Sequence, residues 1–291
     1  MSEPRVTGPG PVVPRELAER ALQIADGRLE PAVPRDAATV ILLRQDASGV
    51  EAFLLRRTAE LEFAPGAYVF PGGSVDARDA DPDVGWAGPG PADFAALLDV
   101  PPDRARALVC AAVRETFEES GVLLAGASHA DLVRDSAALA ADRHALLTGA
   151  ASLAEVLGRR GLVLRTDLLT PWARWITPEV SPRRFDTWFF AAALPPGQDA
   201  TAAPQGFGDH AYPGESESGA WLRPASALEA ARAGQMTLLP PTAVTLGELA
   251  GHPGVSAILA RRQVITPRLP KVIVEDGRVR LALPRSGEER P

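Results

Sequence analysis

The sequence predicts an α/β sandwich with a mixed sheet and an additional helical region. Three observations lead there. Short apolar, strand-like runs recur along the chain and are interrupted by segments with helical patterning. One long helix is framed by Pro101-Pro102-Asp103 as its start and Gly121 as its stop. Residues 130–160 are rich in alanine and leucine, which favours helix.

The elements follow in order. Residues 1–13 are rich in proline and glycine and are expected to be loose. Pro14 to Ile24 can form a short helix. Thr39 to Leu43 and Ala52 to Leu55 flank Asp46-Ala47-Ser48-Gly49 and predict a hairpin. Tyr68 to Phe70 adds a strand. Leu168 to Ile176, Phe185 to Ala193 and Ala220 to Leu222 return to strand character, and Ala225 to Gly234 and Thr242 to Leu249 read as helices. Val272 to Val274 and Val279 to Leu283 flank Glu275-Asp276-Gly277-Arg278, a terminal hairpin signal. The expected organisation is an extension over 1–36, a body over 37–245 with inserts at about 80–106 and 125–168, and a C-terminal extension over 246–291 packed on the body. Asp81-Pro82-Asp83 and Gly88-Pro89-Gly90-Pro91 mark the first insert as a surface excursion. No repeat of fixed period is apparent.

Composition narrows the function classes. The chain has 291 residues, 46% of them hydrophobic, enough for a sizeable core. A net charge of −7 gives no global attraction to nucleic acid or anionic membrane. Cys110 stands alone, which excludes an internal disulfide and fits a reducing cytoplasm; its place on an apolar helix face makes it a packing residue. No apolar run is long enough to span a membrane, and Glu289-Arg290-Pro291 is not a peroxisomal address. The expected location is cytoplasmic, with a homodimer left open.

The chemistry concentrates in Arg114-Glu115-Thr116-Phe117-Glu118-Glu119-Ser120-Gly121-Val122. On a helix, Glu115, Glu118 and Glu119 share one face. Arg106, Cys110, Val113 and Phe117 lie opposite and predict a core-facing side. Like charges at that spacing repel, and most such faces are solvated surface. A hard divalent cation, Mg²⁺ or Mn²⁺, reverses the sign, because it takes clustered carboxylate oxygens and holds phosphorylated ligands. Arg114 stands four residues before Glu118 and can fix its direction. Upstream, Phe70-Pro71-Gly72-Gly73 follows a strand, and the double glycine allows close backbone approach and an exposed carbonyl.

With these two segments the chain resembles a Nudix hydrolase. Gly73 and the run Arg114 to Val122 match the two halves of that family's box. The resemblance implies a Nudix-type α/β/α sandwich that hydrolyses diphosphate linkages. It also implies a metal site at Glu115, Glu118, Glu119 and the Gly73 carbonyl, with Arg114 orienting the carboxylates. Three departures stand out. Asp79 occupies the first acidic position where glutamate is usual, which weakens the expected role of that carboxylate. Between Asp79 and Arg114 lie 34 residues where the box has seven, an insert of 27. Thr116 replaces an apolar residue.

Phe63 to Gly73, Trp175-Ile176-Thr177-Pro178 and Pro182 to Thr187 are similar to the peroxisomal coenzyme A diphosphatase subfamily, which carries an insert inside its box. This implies coenzyme A or an acyl-coenzyme A as substrate, although Glu62 stands where a common coenzyme A motif has arginine. ADP-ribose, NADH or another nucleotide conjugate is the alternative. Arg183 and Arg184 are candidate forked phosphate donors, with Arg57 and Arg56 at a strand end as further ones. Glu217 or Glu215, in a loop before a strand, is a candidate to bind a metal or activate water. The surface and loop explanations for these six residues remain open at this point. Trp172, Trp175 and Trp188 are expected in the core, and the four histidines show no zinc spacing. The partner is a small nucleotide-derived molecule. A non-catalytic nucleotide-sensing module and a scaffold protein are the other classes. The complete glutamate set argues against the first, and a metal-dependent turnover assay separates an enzyme from both.

Overall fold

The protein is described here by a computed structural model covering residues 15–59, 64–203, 216–275 and 278–282. Along the chain, α1 (Arg15–Ala25) precedes β1 (Arg35–Asp46), β2 (Gly49–Arg57), β3 (Ala67–Val69) and β4 (Gly72–Ser74). A 3-10 turn at Ala77–Ala80, β5 (Trp86–Ala87) and α2 (Pro91–Leu98) lead into α3 (Pro102–Ser120). Then come β6 (Ala125–Gly126), α4 (Ala140–Leu147), α5 (Leu153–Arg160) and β7 (Val163–Arg165). The rest is β8 (Thr170–Ile176), β9 (Phe185–Ala193), β10 (Ser216–Leu222), α6 (Pro224–Arg232), β11 (Thr237–Leu238), α7 (Pro240–Leu249) and α8 (Val255–Leu259). It ends with β12 (Pro267–Arg268), β13 (Lys271–Glu275) and β14 (Arg278–Ala282).

The chain forms two units. The larger holds residues 37–172 and 188–265. Its strands run in the order β11-β3-β2-β1-β9, with β10 also on β2 and β4 also on β1. The β1–β2 hairpin turns where expected, Asp46 opposite Gly49. The Asp46 carboxylate accepts from the amide and hydroxyl of Ser48, both at 2.7 Å, which fixes the turn. In β1, Ala38, Val40 and Leu42 are fully buried against the core that contains α3. Ile41 and Leu43, pointing the other way, are equally buried. β1 is therefore covered on both faces, which explains its unbroken apolar run.

Residues 80–100 correct the expectation of a surface excursion. Phe94 and Leu98 of α2 are 1% exposed and belong to the main core. Phe94 packs edge-on against Trp86 and Phe190, with ring centroids 6.1 Å and 6.3 Å away. β5 pairs with β7, which also pairs with β6, so the two inserted segments share one small sheet. Proline and glycine mark the turns of this stretch, but its apolar residues seat it in the interior.

The smaller unit holds residues 1–36, 173–187 and 266–291. Ala21 of α1 packs with Val180 and the partly buried Leu17, Ala18, Ile24 and Val272. Pro267 and Arg268 pair with Arg174 and Trp175. β13 and β14 form the expected terminal hairpin, and the turn residues 276–277 lie outside the described residues.

Candidate active site

The site is built on α3. Pro102 at its first turn and Gly121 at its C-terminus bound it as expected, and Gly121 takes the left-handed conformation, φ 72°, that glycine adopts without strain. Cys110, Val113 and Phe117 are fully buried, so the opposite face is free to carry polar groups. Burial pushes the Cys110 thiol up to about 12, which leaves it protonated and unreactive. Thr116 is fully buried too. Its hydroxyl donates to the Ala112 carbonyl at 2.7 Å, so a polar atom at an apolar position is satisfied within the helix.

Arg114 is the hub. Its Nε donates to Asp79 Oδ1 at 2.9 Å and its Nη2 to Asp79 Oδ2 at 2.8 Å. Nη2 also donates to the Ser74 carbonyl at 2.9 Å. Nη1 reaches Glu115 Oε1 at 2.8 Å and Glu118 Oε2 at 3.3 Å. Every donor of the guanidinium is thereby engaged. The expected Arg114–Glu118 pair is present, yet Asp79 is the better partner. This corrects the expectation that aspartate at that position weakens the carboxylate's role. Asp79 is 2% exposed, and its Oδ2 also accepts from the Asp76 amide at 2.8 Å. Asp76 in turn caps the 3-10 turn by accepting from the Arg78 amide at 2.8 Å. The Asp76–Asp79 spacing is a capping signal legible in the sequence, and it was the available clue to Asp79.

The glycine pair brings the chain against this network. A Cβ at Gly73 would lie 2.5 Å from Glu115 Oε1. A Cβ at Gly72 would lie 2.5 Å from the Ala38 carbonyl, where β4 pairs with β1. The Gly72 amide donates to Glu119 Oε2 at 2.8 Å. Gly73 thus stands beside Glu115, and the Gly72 amide beside Glu119.

Burial sets the electrostatics. It raises Glu115 to about 7, against the lowering influence of Arg114. Glu118 is raised for the same reason, again opposed by Arg114. Burial also works against the charge of Arg114, but hydrogen bonding to Asp79 and the charges of Glu115, Asp79 and Glu118 outweigh it and raise Arg114.

Hard oxygen donors at Glu115, Glu118 and Glu119, with the Gly73 backbone beside Glu115, fit Mg²⁺ or Mn²⁺ by donor chemistry. Arg114 engages two of these carboxylates and the Gly72 amide holds the third. Among the described residues no three acidic, histidine or cysteine side chains already share one point. A cation would draw the carboxylates from these partners.

The other sequence candidates fall elsewhere. Glu217 lies at a bulge of β10, between Ser216 opposite Arg57 and Ser218 opposite Arg56. Glu215 and Glu62 lie outside the described residues. Arg56, with Tyr68, Gln235, Met236 and Thr237, lines a cavity of about 350 Å³. Arg184 belongs to the smaller unit and is 8% exposed. Its Nε donates to the Thr177 carbonyl at 3.0 Å and its Nη1 to the Ala32 carbonyl at 2.8 Å. This geometry does not support Arg184 as a phosphate grip, because its donors serve the backbone. Arg183 is exposed. Trp172, Trp175 and Trp188 are buried as expected. Arg143 of α4, a helix with no box-like pattern in its sequence, donates to the Glu118 carbonyl at 2.9 Å.

Comparison with known proteins decides the family. The family model described as the NUDT19 Nudix domain matches residues 92–249. The chain belongs to this Nudix family. It is 27% identical over 244 residues to the acyl-coenzyme A diphosphatase NUDT19 of Xenopus laevis, covering 71% of this chain and 61% of that protein. It is 30% identical over 219 residues to putative nudix hydrolase 7 of Caenorhabditis elegans, covering 74% of this chain and 60% of that protein. The chain therefore spans about 60% of the length of these curated relatives. The crystal structure of a Nudix hydrolase from Alicyclobacillus acidocaldarius superposes with a TM-score of 0.65 at 26% identity, covering 80% of this chain and 98% of that one. The Nudix α/β fold expected from the sequence is borne out. Among the described residues no helix is long and apolar enough to cross a membrane.

Proposed function

We propose that this Nudix protein hydrolyses the diphosphate linkage of a nucleoside diphosphate derivative, with coenzyme A or an acyl-coenzyme A as substrate. The observation that carries the reaction class is the Arg114-centred network, which holds Glu115 and Glu118, with Gly73 beside Glu115 and the Gly72 amide on Glu119. The substrate class is supported by relatives named acyl-coenzyme A diphosphatase and by the Nudix family model that the chain matches.

Glu115, Glu118 and Glu119, with the Gly73 carbonyl, would hold Mg²⁺ or Mn²⁺. A bound divalent ion supplies charge withdrawal from the diphosphate oxygens and a more acidic water. Arg114 sets the directions of Glu115 and Glu118 and does not itself react. A water oxygen adds to one phosphorus, the bond from that phosphorus to the bridging oxygen breaks, and the water's proton passes to a carboxylate. Glu115 is the first candidate for that carboxylate. Glu217, at the register shift of β10 between Ser216 and Ser218, is the second candidate base. The products are two monophosphate species, and no covalent enzyme intermediate forms.

The test is a turnover screen of the full chain with Mg²⁺ or Mn²⁺ and product identification. Its substrates are coenzyme A, acyl-coenzyme A, NADH, ADP-ribose, nucleotide sugars and dinucleoside polyphosphates. Release of 3′,5′-ADP and a 4′-phosphopantetheine species is the expected result. Cleavage of ADP-ribose or NADH with coenzyme A untouched would replace the substrate and keep the chemistry. Absence of metal-dependent turnover on every compound would overturn the reading.

A further inference from the structure

Arg143, on α4 of the second inserted segment, crosses the C-terminal end of the glutamate helix. Its Nε donates to the Glu118 carbonyl at 2.9 Å and its Nη2 to the Thr201 carbonyl at 3.0 Å. A cation at the last carbonyls of a helix is favourably placed. Its Nη1 lies over Gly121, 2.9 Å from where a Cβ would stand. Burial pulls Arg143 down to about 10, and the charge of Glu119 opposes that fall. The same segment touches the other end of the network, since Arg78 Nη1 donates to the Gly149 carbonyl at 3.2 Å.

We propose that Arg143 is a positioning residue that acts through Glu119, supplying the counter-charge that sets how tightly the glutamate cluster takes a divalent cation. This rests on reading Glu115, Glu118 and Glu119 as cation ligands. The helix end keeps its place without the side chain. Gly121 still donates to the Phe117 carbonyl at 2.9 Å and Thr201 to the Ser120 carbonyl at 2.8 Å. The inserted helices then serve the site as well as the core.

The test is titration of Mn²⁺ into the full, metal-free chain without substrate. Arg143→Gln is expected to tighten Mn²⁺ binding by roughly three- to tenfold at low salt, with the gain shrinking at high salt. Arg143→Lys keeps the charge and is expected to hold the wild-type affinity. Loss of the two carbonyl contacts lowers the melting temperature under either reading, so binding decides: a purely structural role predicts weaker binding, and unchanged or weaker binding in Arg143→Gln overturns the proposal. If that variant does not fold, Arg143→Lys carries the test, and a shift beyond about threefold in its affinity overturns it. Glu119→Gln separates the two readings. If it binds Mn²⁺ like the wild type, the ligand assignment fails and the role of Arg143 fails with it. If it binds weakly while Arg143→Gln is unchanged, only the role of Arg143 fails.

Discussion

Asp79 and Arg114 meet as two forks, Nε on Oδ1 at 2.9 Å and Nη2 on Oδ2 at 2.8 Å, across 35 residues of sequence. The carboxylate is 1% exposed and the guanidinium 12%. Such a pair is costly to break, because the survivor stays buried with its charge. Asp79→Asn should lower unfolding stability near the lower end of about 3–5 kcal/mol, since Glu115 and Glu118 still face Arg114. Urea unfolding measures this, and a loss below about 1 kcal/mol would reduce the pair to surface-like value.

Glu118→Gln and Glu119→Gln should each lower kcat by at least about 10², because each removes a charged ligand. Circular dichroism should show an intact fold, as neither side chain belongs to the apolar core. Near wild-type turnover in both would remove the metal assignment, and global unfolding would make the residues structural.

The two glycines separate stability from activity. Gly72→Ala drives a Cβ into the Ala38 carbonyl, a backbone atom that cannot move without disturbing β4. Its melting temperature should fall clearly. Gly73→Ala meets the Glu115 carboxylate, which can swing away. It should stay folded while divalent affinity and turnover drop by at least about tenfold. Equal melting temperatures for the two variants would contradict this assignment.

Stability of the metal-free protein should fall as pH rises from 4.5 to about 7, the interval between the ordinary and the raised value of Glu115. The raised group binds its proton more tightly folded than unfolded, so its contribution is full below 4.5 and lost above about 7. Glu118 adds in the same direction. Asp76 and Asp167 are lowered from 3.8, Asp76 by its Arg78 hydrogen bonds and Asp167 by Arg165, so their opposite effect falls at lower pH. Glu115→Gln should flatten the slope in thermal melts with a chelator present. With the wild type, divalent affinity should rise through the same interval, since the ion displaces the proton.

Arg184→Ala should cost about 1–3 kcal/mol of stability, because the Thr177 and Ala32 carbonyls lose their donor. Exposed Arg183→Ala should stay within about 0.5 kcal/mol of the wild type. A larger rise of KM for coenzyme A than for dephospho-coenzyme A in Arg183→Ala would mark it as the 3′-phosphate contact.

What could be read from the sequence was local. Pro102 and Gly121 bound α3 because capping acts within one turn, and helical spacing alone aligns Glu115, Glu118 and Glu119. The Asp46–Gly49 turn is likewise set by neighbours. Tertiary structure decided the partners. Nothing near Asp79 announces that Arg114 will fold onto it, and nothing near Arg143 announces Glu118. Arg183 and Arg184 are chemically alike and adjacent, yet in the bend before β9 one is exposed and the other is buried against backbone carbonyls. The proline- and glycine-rich insert reads as surface because turn residues dominate its composition, while two side chains, Phe94 and Leu98, anchor it in the core. Caps and periodicity are written in residues that touch along the chain. A buried charge partner depends on which distant segments the sheet brings to one place, and local sequence does not encode that.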